Sequence, residues 1–139
     1  MTAFPSPGDL ERMYQTYKDR AEFLLVYIRE AHPDSVLFTK TDKKGKEQLK
    51  KITQTDSVKA RSETAMMCAV TLNMTIPTLI DGKDNKVNAA YAGWPDRLAV
   101  VGLDGKIAYY GEKGPKGFKP TEVEKWLKEN TAPPPKNSE

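Results

Sequence analysis

Residues 75–119 leave this chain few choices of fold. Ile76-Pro77 leads into a short apolar strand over Thr78–Ile80, residues 85–91 read as a short helix, and Trp94-Pro95-Asp96-Arg97 leads into a strand over 97–103. Asp104-Gly105 then turns that strand into another over 106–110. Asp-Gly between two apolar runs is a strong hairpin signal, because both central positions of the tightest turn favour positive φ. A glycine-punctuated loop follows, and Pro120 opens a last helix whose Val123, Trp126 and Leu127 face inward. The stretch contains no cysteine, serine or histidine, so any nucleophile must come from elsewhere.

Upstream, Ser6 is placed to cap a helix with Pro7 at its first position and Asp9 near its free amides. Leu10, Met13, Tyr14 and Tyr17 share one face, so the helix runs to about Lys18. Residues 23–28 are apolar, rich in strand formers and bounded by charges, which predicts a strand covered on both faces. Residues 33–55 are polar, lysine-rich and aperiodic apart from Val36, Leu37 and Phe38, and read as a long surface loop with a short helical turn. Asp56 or Ser57 caps a helix running to about Asn73, with Ala65, Ala69 and Leu72 on one face and Met66 and Val70 beside it.

The order is helix, strand, helix, strand, hairpin strand, helix. This resembles the α/β thioredoxin-like order with its first core strand absent. In that fold a proline, often cis, precedes the hairpin beside a reactive cysteine, and Pro77 takes that place here. The absent strand belongs between the strands at 23–28 and 78–80. Either those two pair directly in a rearranged sheet, or the chain is poorly folded with two open edges.

With 139 residues the chain makes one domain, read here as 1–130 with a disordered tail over 131–139. No apolar run approaches the roughly 20 residues a membrane helix needs. The N-terminus has neither the basic start nor the apolar stretch of a secretory signal. The sequence as written therefore reads as cytoplasmic, with an upstream anchor left open. A net charge of +3 and lysines without interleaved aromatics point away from nucleic acid. One cysteine and one histidine exclude an internal disulfide and a cysteine-rich or multi-histidine metal site.

Several spaced motifs carry a family resemblance: VYIREAHP over 26–33, IPTLID over 76–81, AAYAGWPDRLAVV over 89–101 and GKIAYYGEKGPKGFKPTEVEKWL over 105–127. Together they resemble the iodothyronine deiodinase family, its bacterial members especially, from about Leu10 to Leu127 and broken only by residues 34–55. The resemblance implies a thioredoxin-like selenoenzyme or thiol enzyme that removes iodine reductively from iodothyronines. It implies no cofactor beyond an external thiol reductant, and a small haloaromatic substrate, with a homodimer as a further expectation. In the family a Ser-Cys-Thr-Sec-Pro-Pro-Phe type motif after the first strand holds the nucleophile, whose ionised form attacks iodine. Counting back from His32 places that residue immediately before Met1, so the chain is expected to begin where the catalytic motif ends. Such a boundary would arise if a selenocysteine triplet were read as a stop.

By the same resemblance His32, in Glu30-Ala31-His32, holds the substrate and assists proton transfer, which suits a side chain with an unperturbed pKa of about 6.5. Glu30 belongs to the same substrate-binding motif. Asp96 occupies the acid position of a Pro-Glu-Arg-Leu type motif linked to the proton path; its other reading is a turn acid that pairs with Arg97 or caps the strand entry. Lys113 stands for the basic residue of a Gly-Arg-Gly-Pro loop that clamps substrate, keeping the charge but not the bidentate fork. Its other reading is a solvated loop lysine. Cys68 is a candidate redox cysteine, or a small core residue of its helix. The chain departs from the family at Asp34-Ser35-Val36-Leu37, where a Thr-Asp-Gly-Trp or Ser-Asp-Gly-Trp element is usual. Three functions follow as expectations: a deiodinase-like oxidoreductase, a thiol peroxidase or disulfide reductase on the same fold, and a non-catalytic binding module.

Overall fold

The computed structural model describes residues 7–30, 36–41, 43–45, 47–51 and 54–133. The elements run α1 (Pro7–Tyr17), β1 (Leu25–Tyr27), β2 (Val36–Thr41), β3 (Glu47–Lys51), α2 (Val58–Thr71), β4 (Thr78–Ile80), α3 (Lys86–Tyr91), β5 (Ala99–Val101), β6 (Ile107–Tyr110) and α4 (Pro120–Asn130). Among the described residues this is a mixed α/β chain with three two-stranded sheets: β1 with β4, β2 with β3, and β5 with β6.

The core sits between α1 and α4. Met13 and Tyr17 from α1 meet Val123 and Leu127 from α4, and Phe23, Leu98, Val100, Tyr109 and Trp126 pack around them. The helical spacing of those residues dictates this, since positions three and four apart form one stripe. Both Arg12 guanidinium nitrogens donate to the Glu124 carboxylate, at 3.3 and 3.2 Å, across the same helix pair.

The strands at 25–27 and 78–80 pair directly and in parallel, Leu25 opposite Thr78 and Tyr27 opposite Ile80. The Leu25 amide donates to the Pro77 carbonyl and the Asp81 amide to the Tyr27 carbonyl, each at 2.9 Å. No gap separates these two strands, which corrects where the sequence places one. The alternation of ladder bonds turns the Val26 amide and carbonyl toward the other edge of β1. On the hairpin, the Gly111 amide bonds the Leu98 carbonyl, which likewise turns the backbone groups of Ala99 and Val101 away from β6. Among the described residues, the outer edges of β1 and β5 have no strand partner. The β5–β6 hairpin packs against the α1–α4 pair through Leu98, Val100 and Tyr109, and α2 packs on β4.

Pro77 lies in the β1–β4 pair, and the cis peptide bonds are at Trp94-Pro95 and Gly114-Pro115 instead. The proline in a cis bond ahead of the hairpin is Pro95. The hairpin turn also differs from the tightest type. Gly105 has φ +79 while Asp104 does not enter the left-handed region, and the register shifts between Val100 and Val101. The Gly102 amide closes on the Lys106 carbonyl at 2.8 Å, so the connection is longer than two residues.

The expected loop over 33–55 contains an antiparallel hairpin, β2 with β3, carrying a register irregularity between Phe38 and Lys40. Its ladder runs from Val36 opposite Lys51 to Thr41 opposite Glu47, and Gly45 at φ +76 lies in the connection. On α2, Ser57 is the cap, its Oγ accepting from the Ala60 amide at 3.1 Å. The helix closes with Asn73 at φ +53 and the Met74 amide on the Ala69 carbonyl, the double-bonded end that a left-handed residue permits. Ala65 is buried as expected, but Leu72 is exposed, and Met66 and Val70 are 70% and 73% exposed. The tail from residue 134 and the Ser6 cap lie outside the described residues.

Candidate functional site

The site is assembled around the chain between α3 and β5. Asp81, only 1% exposed at the end of β4, accepts from the Val87 and Asn88 amides at 3.0 and 2.9 Å and so anchors the first turn of α3. Buried Arg61 of α2 grips the same corner, donating to the carbonyls of Asp81 and Gly82, to Asn85 Oδ1 and to Thr55 Oγ1. A buried guanidinium is tolerable because its donors are met in this way. Asn88, thus placed, accepts from the Trp94 amide at 2.9 Å and orients the turn that follows α3.

Arg97 ties that turn to the loop after β6. Its Nε donates to the Ala92 carbonyl at 2.9 Å and a terminal nitrogen to the Gly111 carbonyl at 2.5 Å, while the guanidinium lies 4.5 Å from the Tyr110 ring centroid. Asp96 does not pair with Arg97. Instead the Gly114 amide bonds the Asp96 carbonyl at 3.0 Å. A Cβ at residue 114 would lie 1.6 Å from Asp96 Oδ1, so only glycine admits this approach. Burial raises the Asp96 carboxyl above its ordinary value, partly offset by the Gly114 amide.

Between these two loops runs an open groove of about 650 Å³, lined by Asn88, Ala89, Ala92, Trp94, Arg97, Glu112 and Lys113. Its size suits a small molecule. Its chemistry is specific in kind: an indole face, two cations and one carboxylate.

A second cluster adjoins the groove through Trp94. The indole N–H lies 3.5 Å from the Glu30 carbonyl, and the Arg29 guanidinium sits 5.0 Å from the indole centroid. Buried Glu30 accepts from the Tyr27 hydroxyl at 2.5 Å, and its backbone pairs with the side chain of Gln54. Tyr27 also reaches Cys68. Burial, then the Glu30 bond, then Cys68 push the phenol far above its usual range. Burial likewise raises the Cys68 thiol; the Tyr27 bond offsets this and the Glu30 charge adds to it. The burial that raises the Cys68 thiol disfavours the thiolate that would attack.

Of the residues expected from sequence, the structure brings Lys113 and Asp96 to the groove and its rim, and joins Glu30 and Cys68 through Tyr27. Pro77 takes a ladder bond in the β1–β4 pair and does not line the groove. His32 lies outside the described residues. Trp94, Arg97 and Asn88 were not foreseen as site residues, although Trp94 and Arg97 lie inside the motif over 89–101. Gln54 and Tyr27 gave no signal beyond a polar residue near a helix start and an aromatic in a strand. Among the described residues no cluster of three or more histidine, cysteine or acidic side chains could hold a metal, and no helix is long and apolar enough to cross a membrane.

The family model for iodothyronine deiodinase matches residues 6–131. The chain belongs to the iodothyronine deiodinase family. Curated relatives agree: thyroxine 5-deiodinase of Sparus aurata is 32% identical over 119 residues, covering 86% of this chain and 42% of that protein. Thyroxine 5-deiodinase of Aquarana catesbeiana is 34% identical over 124 residues, covering 84% and 40%. Type II iodothyronine deiodinase of Homo sapiens is 31% identical over 119 residues, covering 86% and 43%. The chain thus spans less than half the length of these relatives. They are vertebrate proteins, and the expected likeness to bacterial members finds no support in them.

Proposed function

We propose that this deiodinase-family chain carries the substrate-binding half of a reductive deiodination site on a thioredoxin-like scaffold. The observation that carries the reading is the groove lined by Trp94, Arg97 and Lys113, with Asp96 against Gly114 beside it. An iodinated aromatic ring stacks on the indole, a negatively charged group on it meets Lys113, and the iodine points out of the groove.

A selenolate or thiolate takes the iodine from carbon. The Se–I or S–I bond forms, the C–I bond breaks with its electron pair left on the ring, and that carbon takes a proton. Asp96, its carboxyl raised by burial, and His32 are the groups proposed to manage the proton. An external thiolate then attacks the selenium or sulfur, iodide leaves, and a second thiol reduces the mixed linkage, giving back the nucleophile and an external disulfide. Cys68 is not the attacking group, because its thiol is half-buried and raised. The nucleophile belongs to the open sheet edges of β1 and β5, where a further strand would pair.

The test measures iodide release from thyroxine with dithiothreitol, and hydroperoxide consumption in parallel. It compares the 139-residue chain with the same chain preceded by the segment that precedes the matched region in the human relative. Release by the extended chain and none by the shorter one is expected. Peroxide consumption without iodide release would favour a thiol peroxidase, and neither activity would leave a binding module.

A further inference from the structure

Glu30 is held from three directions. Its amide donates to Gln54 Oε1 at 3.0 Å, its carbonyl accepts from Gln54 Nε2 at 3.3 Å and from Trp94 Nε1 at 3.5 Å, and its Oε2 accepts from Tyr27. The remaining carboxylate oxygen, Oε1, is buried without a partner among the described residues. One carboxamide offers a donor and an acceptor side by side, so Gln54 gives the Glu30 backbone what a neighbouring strand would give it. It does so three residues past Tyr27, whose carbonyl takes the Asp81 amide at the end of β1.

Gln54 itself is exposed, so the pairing is not forced by a need to satisfy a buried amide. It precedes Thr55, whose hydroxyl is fixed by Arg61 Nε at 3.0 Å. The corner that anchors α3 and Asn88 therefore also sets the position of Gln54. Both hydrogen bonds to the Glu30 carbonyl, from Gln54 and from Trp94, converge on one oxygen, and Trp94 is a wall of the groove.

We infer that Gln54 is a positioning residue: by clamping the Glu30 backbone it fixes the carbonyl that seats the Trp94 indole in the groove. The functional side of this rests on reading the groove as the site for an iodinated aromatic. Gln54 touches no substrate; it acts through Glu30 and Trp94.

The test uses the full chain with Trp126→Phe, so that Trp94 alone fluoresces. Gln54→Met keeps length and bulk while removing both partners. Gln54→Glu keeps the acceptor for the Glu30 amide and loses the donor to its carbonyl. Three quantities are read: hydrogen exchange at the Glu30 amide, Trp94 emission, and the Kd for thyroxine from Trp94 quenching. In Gln54→Met the Glu30 amide exchanges about tenfold faster, the Trp94 emission shifts, and Kd rises by about fivefold, the equivalent of one lost hydrogen bond. Gln54→Glu keeps the Glu30 amide protected while the emission still shifts. Unchanged Glu30 exchange in Gln54→Met overturns the clamp. Faster exchange with unmoved emission and unmoved Kd reduces Gln54 to a local tie and overturns the positioning role. If the parent chain binds no thyroxine while exchange and emission respond as stated, the substrate reading fails and the placement of Trp94 by Gln54 stands.

Discussion

The Tyr27 hydroxyl bonds the Glu30 carboxylate near Cys68, and burial chiefly sets how the phenol and the thiol titrate. The Cys68 thiol and the Tyr27 phenol are both raised in the folded chain, chiefly by burial. A raised value means that the unfolded chain gives up the proton first. The stability they contribute is complete below the unfolded thiol value of about 8.5 and is lost as pH rises through the folded values. The midpoint of thermal unfolding should therefore fall between about pH 8 and pH 10, and fall less steeply in Cys68→Ala. Parallel curves for the two proteins would show that the thiol is not coupled in this way. Gly114 is a residue of a different kind, required by space. Gly114→Ala puts a methyl into the Asp96 carboxylate, so it should destabilise by about 1–3 kcal/mol in denaturant unfolding and disturb the Lys113 side of the groove. That Lys113 lies on the groove could be anticipated from its loop motif, which is local and keeps its spacing. The link from Cys68 to Glu30 could not, since it passes through Tyr27 and joins residues far apart in the chain.

Elements followed the sequence where their signals are internal to them. α4 is written in Pro120, Val123 and Leu127, and α1 in Met13 and Tyr17, which meet in one cluster. Leu127 is 3% exposed at its centre, so Leu127→Ala should cost about 2–5 kcal/mol in urea unfolding. A loss below about 1 kcal/mol would mean that this cluster is not the core. The Ser57 cap was legible for the same reason, being fixed by one side chain and one amide three residues on. The β2–β3 hairpin was not, because lysine-rich strands lack apolar alternation and their pairing is decided by the partner strand. The outward face of Leu72 also escaped the helical pattern, which marks apolar positions without saying what covers them.

At the scale of the whole molecule, the resemblance to a thioredoxin-like order predicts a gap between the strands at 23–28 and 78–80, and the structure pairs them directly. β1 and β4 are bonded, and among the described residues each strand of the β1–β4 and β5–β6 pairs has an outer edge without a strand partner. The order of elements could not reveal this, because it gives succession along the chain and not lateral neighbours. The groove walls are tied to one another by Arg97, Asn88 and the Asp96 carbonyl. The groove is proposed to receive an iodinated aromatic beside Trp94 and Lys113. The most direct measurement is Trp94 quenching in Trp126→Phe titrated with thyroxine, with iodine-free thyronine, and again after Lys113→Gln. Saturable quenching by thyroxine, weaker by about tenfold for the Lys113 variant as expected for a lost charged hydrogen bond, and weaker for thyronine, is predicted. Quenching that does not saturate, or that is indifferent to both Lys113 and iodine, would contradict it.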